Sequence, residues 1–191
     1  MPELVYFVGV SLDGYIAGPA GEIDFFPLGP DFVEWLGGDY PETLPAHVHP
    51  HFGIAPGTPN RHFGSVVMGR ATYQPGLDAG FPSPYPHLTQ YVVSTTLTAA
   101  PAPDVRVVTD PGALVRELKA NEERDIWLAG GGRLAAALLD EVDSLVIKRY
   151  PVLAGAGIPV FAGEFRPTRW APVRRRSFEN GTQVSTFRRA G

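Results

Sequence analysis

The chain has 191 residues, of which 44% are hydrophobic and 19% charged, with a formal net charge of −4 and no cysteine. That length suits one domain, 1–191, with a sizeable core, and the composition argues against disorder. The absence of cysteine excludes disulfides and thiolate chemistry, and the negative balance gives no reason to expect nucleic acid as a partner.

The opening "MPELVYFVGVSLDGYIAG" has no basic start, and Asp13 interrupts its apolar stretch. It reads as a first strand, not a signal peptide. No apolar run is long enough to span a bilayer, so the expected location is the cytoplasm. "LVYFVGVSL" (4–12) is almost continuously apolar, as a strand buried on both faces should be. Asp13 with Gly14 reads as a turn or loop closure. "PDFVEWLGG" predicts a short helix stopped by Gly37 and Gly38. The stretch 37–64 is long for a structureless connection, which points to a lid or rim.

Further buried strands follow in "SVVMG", "QYVVST", "VRVVT", "DIWLAG" and "SLVIKRYPVL". Helical patterns lie between several of them. In "DPGALVRELKAN", Asp110 is a candidate N-cap, Pro111 opens the helix, and Leu114, Val115 and Leu118 share a face. "GRLAAALLDEV" places Leu134, Leu138 and Leu139 at helical spacing. This alternation predicts an α/β fold with a mostly parallel sheet. The last segment, "WAPVRRRSFENGTQVSTFRR", is two alternating runs joined at Asn180-Gly181, the signature of an antiparallel hairpin.

The chemistry concentrates at two junctions. In "WLAGGGRLAAALL", three glycines (Gly130, Gly131, Gly132) stand between a strand and a helix. Unpaired N–H groups and missing side chains suit a phosphate there, although the G-x-G-x-x-G pattern is not met. A tight turn without ligand accounts for the same residues equally well. In "VVMGRATY", Gly69 and Arg70 follow a buried strand and Thr72 opens the next helix, so an arginine could hold a second phosphate. Two such junctions suggest a dinucleotide lying across the carboxyl ends of the strands. "HVHPH" alternates His47, His49 and His51, with His62 farther on. On extended backbone the three would face one side, which makes a metal site conceivable beside the plainer reading of a rim loop. Arg174, Arg175 and Arg176 alternate across a strand and do not form one patch.

The ordered set "VSLDGYIAG", "VVMGRATY", "YVVSTTL", "IWLAGGGRLAAALL" and "VLAGAGIPVF" resembles the dihydrofolate reductase-like superfamily. It is most similar to bacterial proteins related to the reductase domain of the riboflavin-biosynthesis deaminase–reductase. The resemblance covers almost the whole chain. It implies a mostly parallel sheet of about eight strands flanked by helices, NADPH as cofactor, and a homodimer. It further implies Arg70 and Thr72 at the adenosine-end phosphates, with Gly69 at the same junction, and Ser94 and Thr95 near the 2′-phosphate. The pyrophosphate would lie on Gly130, Gly131, Gly132, Arg133 and Leu134, with Leu128 and Ala129 beside the nicotinamide. A cis Gly130-Gly131 peptide is implied as well.

Reduction also needs a proton source. In this superfamily a carboxylate near the start of the first long helix assists the substrate, which implicates Asp31 or Asp24. Asp31 reads equally as a helix cap and Asp24 as a turn residue. The leading expectation is an NADPH-dependent reductase of a C=N or C=O bond in a small, heterocyclic substrate resembling a pterin, pyrimidine or flavin precursor. A nucleotide-binding sensor of the same fold and a metal protein built on the histidine loop are the alternatives.

Overall fold

In the first strand, β1 (Leu4–Val10), every residue but Gly9 is buried. The computed structural model describes residues 1–190 and places β1 inside an eight-stranded sheet. After β1 come β2 (Tyr15–Ala17), α1 (Pro30–Asp39), β3 (Phe63–Gly69), α2 (Arg70–Asp78), β4 (Thr89–Val93) and β5 (Val105–Val108). Then follow α3 (Pro111–Asn121), β6 (Asp125–Gly130), α4 (Gly132–Ala137), β7 (Ser144–Arg149), β8 (Ile158–Pro159), β9 (Trp170–Ser177) and β10 (Gln183–Arg189). The sheet order is β5-β4-β3-β6-β1-β7-β10-β9. The first six strands in that order pair in parallel, and β10 runs antiparallel to both β7 and β9. The expected terminal hairpin is present, with Gly181 at φ +86° in its turn. A small antiparallel pair, β2 with β8, stands apart from the main sheet.

Burial on both faces of β1, β3 and β6 follows from helices covering each side. One core layer joins Phe7, Val66, Met68 and Trp127 of the sheet to Phe32, Trp35 and Leu36 of α1. The opposite layer joins Tyr6, Val8, Val67 and Leu128 to Leu118 of α3 and Leu134 of α4. Asp110 caps α3 as expected, its Oδ1 accepting from Ala113 N at 2.9 Å, with Pro111 at the first helical position.

Two local expectations need correction. Gly37 and Gly38 do not stop α1, which continues to Asp39. A Cβ at Gly37 would lie 2.9 Å from the Phe52 carbonyl, so that glycine answers to a close neighbour and not to a helix end. The histidine segment is not extended. It winds as a 3-10 helix, Ala46–Phe52, after another at Pro41–Thr43. His47 stacks on Phe81 with ring centroids 4.0 Å apart, and His49 Nε2 meets the Leu44 carbonyl at 2.9 Å. Among the described residues no group of three His, Cys, Asp or Glu side chains is placed to hold a metal ion. No helix among them is long and apolar enough to cross a membrane.

Candidate functional site

The parallel sheet parts in its middle. β1 pairs with β6 at Leu4–Ile126, Val5–Trp127 and Tyr6–Leu128, and no further. Beyond Tyr6, β1 continues beside β7 as far as Val10–Arg149. β6 meanwhile continues beside β3 to Met68–Gly130. A slot therefore opens at the carboxyl end between Phe7 of β1 and Ala129 of β6. Carboxyl-edge openings between diverging strands are where ligands enter α/β sheets.

The glycine turn closes one side of that slot, and its three members are glycine for different reasons. Gly130 has φ +118°, a region L side chains rarely adopt. A Cβ on Gly132 would sit 2.0 Å from the Pro159 carbonyl of β8, so packing forbids a side chain there. Gly131 has neither constraint. Its backbone is extended, and a Cβ would meet only Ile16 Cδ1 and Thr72 Oγ1, both at an ordinary 3.7 Å. A Cβ at Gly131 would therefore fit between β2 and α2 without a clash. The Gly130-Gly131 peptide is cis.

The second junction lies against the first. A Cβ at Gly69, which precedes α2, would be 3.5 Å from both Gly130 O and Gly131 N. Arg70 follows, half-buried, and its Nη1 is buried with no hydrogen-bond partner. A guanidinium nitrogen withheld from water and left unpaired is costly. An anionic group brought by a ligand removes that cost. At the end of β4, Ser94 is buried and its Oγ accepts from Thr96 N at 3.1 Å and Leu97 N at 2.9 Å. The Ser94 hydroxyl thus shapes the turn that leaves Thr95 and Thr96 exposed.

Other expected site residues are placed less directly. Leu128 is fully buried against the α3 and α4 layer, so only its main chain borders the slot, whereas half-buried Ala129 faces the α1 layer. Leu134 is a core residue of α4. Arg133 is exposed and lines an open groove of about 710 Å³ with Phe161, Glu164, Arg166 and Trp170, which shares no lining residue with the slot. Asp31 is not the cap of α1. Gly29 holds that position, and Asp31 lies one residue inside the helix. Its Oδ1 accepts from Phe32 N and its Oδ2 from Glu179 N, both at 2.9 Å. Asp24 is exposed in a turn. Asp13 closes a loop as expected, accepting from Ser11 Oγ, Ala154 N and Gly155 N at 2.6, 3.0 and 2.7 Å. These bonds, led by that from Ser11, pull its carboxyl down to about 2.

The RibD C-terminal domain model matches residues 63–184, which include both glycine junctions. The chain belongs to the RibD C-terminal domain family. Among curated proteins it is similar to uncharacterized protein YwjB of Bacillus subtilis (strain 168), with 28% identity over 83% of this chain and 82% of that one. Uncharacterized protein YyaP of the same organism is 22% identical over 94% of this chain and 90% of its own length. The crystal structure of a "Putative riboflavin biosynthesis protein" from Shewanella sp. PV-4 superposes along the full length of both chains, with TM-score 0.72 and 24% identity. A Thermotoga maritima diaminohydroxyphosphoribosylaminopyrimidine deaminase/5-amino-6-(5-phosphoribosylamino)uracil reductase gives TM-score 0.64 at 16% identity. That match takes in 99% of this chain and 57% of the other. These likenesses establish the dihydrofolate reductase-like architecture expected from the sequence. Two residues near these elements were not singled out by sequence. Ile16 stands opposite the glycine turn. Lys148 of β7 lies with its Nζ 4.1 Å from the Phe7 ring centroid. The signal for the second was a lone lysine inside the apolar run "SLVIK".

Proposed function

We propose that this protein is an NADPH-dependent reductase acting on a C=O or C=N bond of a small heterocyclic substrate. The observation that carries this reading is the buried, unpartnered Arg70 Nη1 beside a glycine turn, at the edge of a slot between β1 and β6. When bound, the dinucleotide supplies the hydride. Arg70, with Thr72 and the exposed Thr95 in reach of the same carboxyl edge, would hold its phosphates. The side-chain-free backbone at Gly131 would let the pyrophosphate approach, and Ala129 would border the nicotinamide. The ends of β3 and β4 read "MGRAT" and "VVSTTL", with no acidic residue to repel a 2′-phosphate. The name of the Thermotoga relative includes a reductase, which supports the reaction class. Asp31 enters the proposal by fastening the β9–β10 turn at the carboxyl edge. Asp24, exposed in its turn, is the weaker choice for proton donor. A homodimer is part of the proposal, and light scattering measures it.

Titration of the protein with NADPH and NADH, read by nicotinamide fluorescence, tests the cofactor. A screen of carbonyl- and imine-bearing heterocycles for NADPH consumption tests the reaction. Tighter binding of NADPH with turnover of a screened compound is the expected result. Binding without turnover of any compound favours a nucleotide sensor, and absence of binding overturns the reading.

A further inference from the structure

Strand β7 carries Ser144, Val146 and Lys148 on one face. Val146 belongs to the layer under α1, so Lys148 points toward that layer too. Lys148 pairs with Gly9 of β1 on one side and Val184 of β10 on the other. The residue is half-buried. The Nζ lies over the ring of Phe7, the first β1 residue beyond the last pair with β6. The ammonium therefore lies over β1, the strand whose other edge borders the slot. Gly9 leaves room for the Tyr150 ring, which a Cβ there would approach to 2.8 Å. Phe26 stacks on Tyr150 at 4.6 Å, so the surroundings are aromatic.

Among the described residues no carboxylate lies within 4.0 Å of this ammonium. The six ion pairs among the described residues leave it out. The titratable and charged groups on the elements around it are Asp31, Glu34 and Asp39 of α1, Tyr40 just after it, Arg174, Arg175 and Arg176 of β9, Arg188 and Arg189 of β10, Arg149 at the end of β7 and Tyr150 after it. Val184 and Thr186 of β10 are neutral. Asp39 is paired with Arg176 at 4.0 Å, and Asp31 with the Phe32 and Glu179 amides. Lys148 as a residue is only half-buried, yet the apolar setting of its ammonium alone pushes its pKa down to about 7. A lysine with this setting exchanges its proton near neutrality. Such perturbed groups concentrate where chemistry is done.

We propose that Lys148 is the proton donor of the reaction, hydrogen-bonding through Nζ to the oxygen or nitrogen of the bond being reduced. This rests on the reductase reading and refines its substrate class. The acceptor heteroatom must face the α1 side of the slot, and it is neutral or anionic, because a cationic group would meet the ammonium. As hydride reaches the carbon, the π pair of the C=O or C=N bond moves to the heteroatom. The heteroatom takes a proton from Nζ, giving an alcohol or amine and a neutral lysine, which water reprotonates. The bond formed at carbon is C–H, and the bond broken at Lys148 is N–H.

The chain has only two lysines, Lys119 and Lys148. Protein labelled with [6-13C]lysine therefore gives two side-chain signals, assigned with the Lys148→Met variant. The Lys148 signal is expected to titrate near 7. It should shift on addition of NADPH or NADP+, and titrate lower with NADP+, whose nicotinamide carries a positive charge. Lys119, held by Glu141 and Asp143, should not respond. With any compound that the wild type reduces, Lys148→Met should lower kcat by a hundredfold or more while NADPH affinity is kept. Lys148→Arg should recover part of the rate. A Lys148 signal that titrates at about 10, or ignores dinucleotides shown by fluorescence to be bound, overturns the assignment, as does unchanged kcat in Lys148→Met. Absence of dinucleotide binding, or of any turnover by the wild type, instead overturns the reductase reading on which the assignment rests.

Discussion

The carboxylate of Asp31 accepts a hydrogen bond from the backbone N–H of Glu179 at 2.9 Å, joining the first turn of α1 to the β9–β10 turn. Its other oxygen accepts from Phe32 N. An acid so engaged holds two elements together at the carboxyl edge, beside the strand end that carries Lys148. Asp31→Asn replaces one acceptor with a donor and should cost about 1 kcal/mol of stability, with a smaller loss of turnover than Lys148→Met. Chemical denaturation and steady-state kinetics on the same preparation measure both. A thousandfold fall in kcat at unchanged stability would return the proton-donor role to Asp31.

The three glycines should separate under substitution. Gly132→Ala places a Cβ against the Pro159 carbonyl and should be severely destabilising, by more than about 2 kcal/mol. Gly131→Ala meets only ordinary contacts from Ile16 and Thr72, so the protein should fold with little change. The same methyl group occupies the space assigned to the pyrophosphate and should weaken NADPH binding at least tenfold. Thermal unfolding with and without NADPH distinguishes the two. Wild-type affinity in a folded Gly131→Ala protein would remove the ligand from this turn.

The contrast between these glycines also shows where sequence reasoning reaches its limit. "WLAGGGRLAA" marked the turn, because three residues without side chains need a cause. It did not reveal that Gly132 is glycine on account of Pro159, a contact that exists only after the chain has closed. The mostly parallel sheet and the hairpin were legible, since the alternation of strands with helices and Asn180-Gly181 can be read along the chain. The continuation of α1 through Gly37 was not, because Phe52 approaches it from another segment. Lys148 escaped notice for the same reason. Its sequence neighbours give it no chemistry, and its place over Phe7 depends on the register of β1 with β7. Asp31 was found by position along the chain, but its partner, Glu179, lies in a distant hairpin.

Asp13 gives a pH dependence with a defined sign. Its pKa falls from 3.8 to about 2 in the folded protein, first through the Ser11 hydroxyl and then through the Ala154 and Gly155 amides. A carboxyl with a depressed folded pKa stabilises above its unfolded value and loses that stabilisation as pH falls through the folded one. The wild type should therefore melt above Asp13→Asn at pH 6. The gap should narrow below about pH 4 and close toward pH 2. Melting curves of the two proteins across this range give the answer, and a gap independent of pH would mean that the carboxylate charge does not hold the loop.

Arg70 should respond in opposite directions with and without cofactor. In the free protein its Nη1 is buried and unpaired, so Arg70→Ala removes a desolvated cation and should leave stability unchanged or raise it. In the complex the same change removes a charge-assisted bond to phosphate. Such bonds contribute about 1.5–3 kcal/mol, or roughly one to two orders of magnitude in affinity. If the phosphate is the one on the adenosine ribose, NADPH should lose that affinity while NADH, which lacks it, loses little. Because the residue is only half-buried, the NADPH preference should also shrink as salt rises. Dissociation constants of both dinucleotides for wild type and variant, at low and high salt, decide the matter. An equal loss for NADH and NADPH would move Arg70 to the pyrophosphate, and no loss for either would remove it from the site.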